Sequence, residues 1–189
     1  MDLPVIVAMV IGVLAIGFVI ALYNGIIGGY NRAQRAWADV LTYERQKAKV
    51  LDALQERVTS YKDYETRVMT DITRLRSAID ALPSQADGNA LVGAERATKA
   101  LMSGLRIAVE AYPDLKASEI MNNLMREIAD QQENVGAAVV IFNREVEGFN
   151  NSIQMFPGSL VNSALNKKTL IRPFSDAEAE KGFDYKPNF

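Results

Sequence analysis

The side chains most often used for proton transfer, nucleophilic attack and metal binding at neutral pH are missing from this chain. Its 189 residues include no histidine and no cysteine. That removes the commonest general base, the usual zinc ligands and every Ser-His-Asp or Glu-x-x-His constellation. A di-iron bundle site, which normally pairs Glu-x-x-His motifs on facing helices, has no histidine to draw on. Catalysis would have to come from Ser-Lys, Tyr or paired carboxylates, and no such set stands out from the acidic residues scattered along helical stretches. The glycines of Gly25-Ile26-Ile27-Gly28-Gly29 lack the spacing of a phosphate loop and follow no strand. No catalytic residue, metal ligand or cofactor site is expected, and the chain is read as non-enzymatic.

Two patterns remain that could do something other than fill space. Glu44, Lys47 and Glu65 fall in the apolar register of a long helix. One reading makes them buried ionic sites; the expected one is that Glu44 and Lys47, three apart, pair while their long side chains reach out to the solvent edge. Aromatic-Asn pairs recur at intervals of seven: Tyr23-Asn24 and Tyr30-Asn31, then Phe142-Asn143 and Phe149-Asn150. A step of seven returns to one helix face, so Trp37 and these aromatics, with Phe156 beyond them, are expected at a core or subunit contact. The asparagines could bridge helices and set their register. The other reading of the same amides is a small polar ligand site.

These residues must be positioned by helices. Leu3 to Leu22 is an unbroken apolar run without a charge, and 20 residues at 1.5 Å each cover about 30 Å, the thickness of a hydrocarbon core. A transmembrane helix over 3–22 is expected. A cleaved signal peptide would need a positive leading segment and a shorter apolar core. Asp2 lies before the run and Arg32 and Arg35 after it, which by the positive-inside rule puts the larger part in the cytoplasm. Small residues recur every four positions at Gly17, Ala21, Gly25, Gly29 and Ala33, a ridge suited to close helix packing.

No proline interrupts residues 5–82, and apolar positions alternate by threes and fours from Tyr30 through Trp37, Leu51, Leu54, Val68, Ile72, Leu75 and Ile79. This heptad-like seam predicts one helix continuing from the membrane segment to the stop at Pro83. A second helix is predicted over 90–111, ended by Tyr112-Pro113-Asp114, where Asp114 can cap the next helix. That third helix runs from about 115 to 155 and stops at Pro157-Gly158, with a short fourth over 159–165. Residues 167–189 read as a tail of little periodicity, with aromatics too apolar to leave exposed. The fold class is all-α: an N-terminal transmembrane helix, then an antiparallel bundle of long, coiled-coil-like helices over 23–166. Helices of such unequal length leave an apolar overhang for a partner.

YNGIIGGYNRAQRAWADV after a membrane helix, YPDLKASE, and FNREVEGFNNSIQMFP in the last long helix resemble the LemA family over almost the whole chain. The resemblance implies a bacterial inner-membrane protein, anchored once at its N-terminus, with a helical bundle as its soluble domain. One branch of the family is implicated in forming magnetosome membranes. The chain departs from the pattern in two places. VLTYERQKAKVLDAL stands where the family carries a strongly basic segment and a Pro-Asn-Leu element, and Phe142 and Phe149 replace tyrosines.

The net charge of −2 gives no field for nucleic acid. The partners expected are the lipid bilayer and further copies of the chain, in a homo-oligomer that scaffolds or shapes the membrane. The alternative is an adaptor whose bundle or tail recruits a membrane protein such as a protease, sensor or transporter. A third reading is a binding module holding a small ligand between helices.

Overall fold

The computed structural model describes residues 2–58, 65–111 and 119–175, and among these every regular element is helical. Helix α1 (Leu3–Val58) is one continuous helix of 56 residues. It is followed by α2 (Glu65–Asp80), a 3₁₀ turn at Gly88–Ala90, α3 (Leu91–Ala111), α4 (Glu119–Gln154), the single turn α5 (Gly158–Val161) and a π-helical turn at Asn162–Asn166. The glycines at 25, 28 and 29 do not interrupt α1, whose hydrogen bonding passes straight from the apolar run into the charged half.

The single helix expected over residues 3–82 is two helices. Arg76 forms an ion pair with Asp52 and a hydrogen bond to Gln55. In one continuous helix residues 52 and 76 would lie about 36 Å apart, so α2 folds back along α1. No proline or glycine lies between residues 58 and 65 of the sequence to announce the reversal. The seam itself is placed as expected: Ala33, Trp37, Val40, Leu51, Leu54, Val68, Ile72, Leu75 and Ile79 are all buried.

Helices α1 and α4 pack antiparallel over nearly the whole length of α4. The contacts Tyr30–Phe149, Trp37–Phe142 and Lys47–Gln132 advance in near-equal and opposite steps along the two helices. Helices α2 and α3 cover the end of this pair distant from the apolar run, giving a core that includes Leu51, Ile72, Leu75, Leu101, Leu105 and Ile128. The end nearer the apolar run has a second core around Trp37, Val40, Phe142, Val146 and Phe149. Here the third layer is formed by the 81–90 turn and by residues 167–175. Each fully buried aliphatic or aromatic side chain contributes about 1.5–3 kcal/mol, so both halves rest on ordinary apolar packing. Among the described residues, α2 and residues 167–175 pack against the apolar seams of α1 and α4, where unequal helix lengths predicted an overhang. The longest uncovered apolar surface among the described residues is the run itself, where every residue from Leu3 to Ala21 is exposed; a smaller group of exposed apolar side chains lies at Met155, Phe156, Leu160 and Leu165.

Candidate functional site

The 81–90 turn is held by one stripe of α1. Trp37 Nε1–H donates to the Pro83 carbonyl at 2.8 Å, Gln34 Oε1 accepts from Ala86 N–H at 3.1 Å, and Gln85 Nε2 donates to Tyr30 Oη at 3.4 Å. Residues 30, 34 and 37 share a face because they are four and three apart. Tyr30 and Trp37 also turn their rings toward α4, Tyr30 edge-on to Phe149 with centroids 5.5 Å apart and Trp37 tilted against Phe142 at 5.2 Å. Two of the expected aromatic contacts, Phe142 and Phe149, are therefore fully buried opposite Trp37 and Tyr30. Tyr23 and Phe156 are exposed, as are Asn24 and Asn31.

Asn143 and Asn150 face neither α1 nor another helix. Each grips the main chain of residues 168–175, which we term the strap. Asn150 Nδ2 donates to the Ile171 carbonyl at 2.8 Å and its Oδ1 accepts from the Ile171 N–H at 3.0 Å. Asn143 does the same with Phe174, at 2.8 and 2.9 Å. Asn162 repeats the arrangement with Lys168, both bonds at 2.9 Å. A carboxamide carries a donor and an acceptor in the geometry of a peptide group, so it can satisfy one residue's N–H and C=O together whatever that residue's side chain. The contacted residues are 168, 171 and 174, a period of three. Three residues of extended chain span at most about 10–11 Å, and the seven helical residues from Asn143 to Asn150 rise about 10.5 Å. The heptad spacing of the asparagines thus matches the three-residue spacing of the strap.

The far edge of the strap meets the 81–90 turn. Gly88 N–H donates to the Arg172 carbonyl at 2.9 Å. A Cβ on Gly88 would overlap the backbone of Pro173 and Phe174, so the close approach requires glycine. Ile171 is buried, and Lys168 Nζ sits over the Tyr30 ring, 3.8 Å from its centroid. The strap enters from the π turn through Lys167, a non-glycine residue in the left-handed region (φ 51°) whose N–H caps the turn on the Asn162 carbonyl at 2.7 Å. A residue with a Cβ pays about 1–2 kcal/mol for this conformation, set against the Asn162 bonds that hold it.

Beneath the strap lies the ionic pair expected from the i,i+3 step. Lys47 Nζ is 2.9 Å from Glu44 Oε2 and donates to Gln132 Oε1 at 2.7 Å. The pairing is as expected but the solvent route is not: Glu44 is 1% and Lys47 0% exposed. The strap and α3 close over the position where the side chains would otherwise emerge. A cavity of about 80 Å³ adjoins the pair, walled by Glu44, Leu91, Glu95, Gln132 and the strap's Phe174 among others. Burial pushes the Lys47 ammonium below its ordinary range, opposed by the attraction of Glu44 and, more weakly, Glu95. The Glu65 side chain lies outside the described residues. No group of three or more acidic residues suited to a metal occurs among the described residues.

The small-residue ridge divides in two. A Cβ added at Gly29 would lie 3.6 Å from the Phe149 backbone, in ordinary contact, and Ala33 is fully buried, so the upper part serves α4 of the same chain. Gly17 and Gly25 face open space, and Ala21 between them is exposed. Of the expected helix breaks, Pro83 lies three residues past the end of α2 and Pro157 separates α4 from α5 through a cis peptide with Phe156. Tyr112, Pro113 and Asp114 lie outside the described residues.

The LemA family model matches residues 36–185, spanning the soluble half of α1, the bundle, the clamp asparagines and the strap. The chain belongs to the LemA family. A relative designated Protein LemA from Metamycoplasma hominis is 26% identical over 148 residues, covering 76% of this chain and 67% of its own. Within this LemA-family domain, the residues that sequence reasoning passed over are Gln34, Gln132, Asn162 and Gly88. The signal that the sequence offered for the strap was its aromatic content, Phe174 included, which is costly to expose.

Proposed function

We propose that this LemA-family chain is a non-enzymatic, membrane-anchored structural protein that self-associates and scaffolds or shapes the bilayer. One observation carries the reading. The 20-residue apolar run is the first part of the same unbroken helix that forms the spine of the bundle, and from Leu3 to Ala21 it is exposed throughout. An apolar helix of that length is stable in a hydrocarbon core and not in water. Its continuity with the bundle joins the anchor and the soluble domain through a single helix. The free ridge at Gly17, Ala21 and Gly25 offers a close-packing surface to a second membrane helix. The basic residues beyond the run favour a cytoplasmic bundle in a bacterial inner membrane.

The test is the mass and shape of the full chain extracted in mild detergent or lipid nanodiscs. A uniform homo-oligomer, reduced in size by Gly17→Leu or Gly25→Leu, is expected. A monomer that copurifies with one stoichiometric membrane protein would replace this reading by that of an adaptor.

A further inference from the structure

We infer that the base of the bundle, residues 155–165, is a second membrane contact: an apolar apron that lies in the headgroup region beside α1. The inference rests on the membrane-anchor reading and adds a surface to it. The antiparallel register of α1 and α4 continues from Tyr30–Phe149 so that Gln154, the last residue of α4, falls opposite Gly25. The segment after it is fixed at that height, because Asn166 Nδ2 donates to the Tyr23 carbonyl at 3.3 Å. Tyr23 is the first residue after the apolar run. At 1.5 Å per residue the apron lies within about 5 Å, along the α1 axis, of where that run ends.

The side chains of this segment divide by face. Gly158 and Val161 are buried toward α1 and α4. Met155, Phe156, Leu160 and Leu165 point away and are 62%, 79%, 61% and 54% exposed. Large apolar residues gathered at one end of a soluble bundle mark a contact, and a bilayer is already at this height if α1 spans it. Tyr23 beside them has the amphipathic ring favoured at the membrane interface, and Lys167 at the edge is exposed, with a charge suited to anionic headgroups. A surface of this kind, apolar below and basic at its rim, matches the composition of segments that lie in the interface plane.

The absence of native cysteine allows single-site labelling. The full chain would be prepared as Phe156→Cys, Leu160→Cys, Leu165→Cys, Ile11→Cys and Val140→Cys, each carrying an environment-sensitive NBD probe. Each would be reconstituted in phosphatidylcholine–phosphatidylglycerol vesicles containing lipid brominated near the glycerol or near the chain end. Position 11 reports the anchor, and Val140, exposed about 21 Å further up α4, reports water. The expected result is blue-shifted emission and severalfold stronger quenching by shallow bromine at 156, 160 and 165 than at 140, with quenching by deep bromine at 11. Lipid quenching at 11 but at none of the three apron sites would overturn the apron and leave the anchor standing. Blue-shifted apron probes protected from both bromine and aqueous iodide would assign the face to a protein neighbour and equally overturn it. An unquenched position 11 would remove the anchor reading and this inference with it.

Discussion

Replacing Asn150 by leucine removes two hydrogen bonds to the strap while keeping the volume of the side chain close to its original value. The net contribution of one such bond is about 0.5–1.5 kcal/mol, so the pair contributes about 1–3 kcal/mol. At 1.4 kcal/mol per tenfold change in an equilibrium constant, the population with the strap released rises about 5- to 150-fold. Asn143→Leu acts on Phe174 in the same way and by the same amount. The rest of the fold does not depend on these amides, since the α1–α4 interface is made by Trp37, Phe142, Val146 and Phe149 on another face. Trypsin provides the assay, because Lys168-Thr169 is cleavable once the strap lifts. When reclosing is fast, cleavage tracks the open population. The rate of cleavage after Lys168 should rise by the stated factor in each variant, with the far-ultraviolet helical signal unchanged. Asn151→Ala, one residue along and without a bond to the strap, should leave the rate as it is. Cleavage at the native rate in both leucine variants would refute the clamp. Loss of the helical signal would show that the asparagines hold helices together and not the strap.

The geometry fixes three further outcomes. Gly88→Ala should release the strap as the asparagine variants do, at a cost of about 1–3 kcal/mol for the lost Arg172 contact and the displaced backbone, read by the same cleavage. Lys47→Met should destabilise the full chain by about 3–5 kcal/mol by leaving Glu44 buried and unpaired, while Glu44→Leu with Lys47→Met should recover most of that loss; thermal unfolding followed by circular dichroism measures both. Because burial lowers the Lys47 pKa in the folded state, the unfolded chain holds the proton to higher pH. Native stability relative to the double variant should therefore rise with pH from the depressed value up to 10.5, and not below it. Asp52→Ala or Arg76→Ala should change stability by under about 1 kcal/mol, since the pair is solvent-exposed.

The helical faces were legible because burial repeats with a period that the order of apolar residues reveals. Leu51, Leu54, Ile72, Leu75, Leu101, Leu105, Ile128 and Phe142 all fall where spacing puts them. The reversal between α1 and α2 was not, because it lacks the proline or glycine that marks the other breaks; it is declared by Asp52 and Arg76, 24 residues apart, whose contact no local pattern encodes. The asparagines announced a shared face through their spacing of seven, but not what lies on it. Their partner is a main chain, and main-chain groups leave no trace in residue type. That the tail docks follows from aromatics such as Phe174, but its path does not, because the asparagines hold its main chain. Glu44 and Lys47 showed their pairing through an i,i+3 step, while their burial depends on α3 and Phe174, which are distant in sequence.

The unbroken course of α1 has a mechanical consequence. From Tyr23 to Val58 the helix extends about 54 Å beyond the apolar run. Seated in a bilayer, it is a lever whose short arm is set by the thickness of the hydrocarbon. A membrane thinner than the run is long is accommodated by tilt, and a tilt of about 20° carries the tip of the bundle about 18 Å sideways. In that setting a few ångströms of bilayer thickness would become a lateral displacement of the bundle tip several times larger.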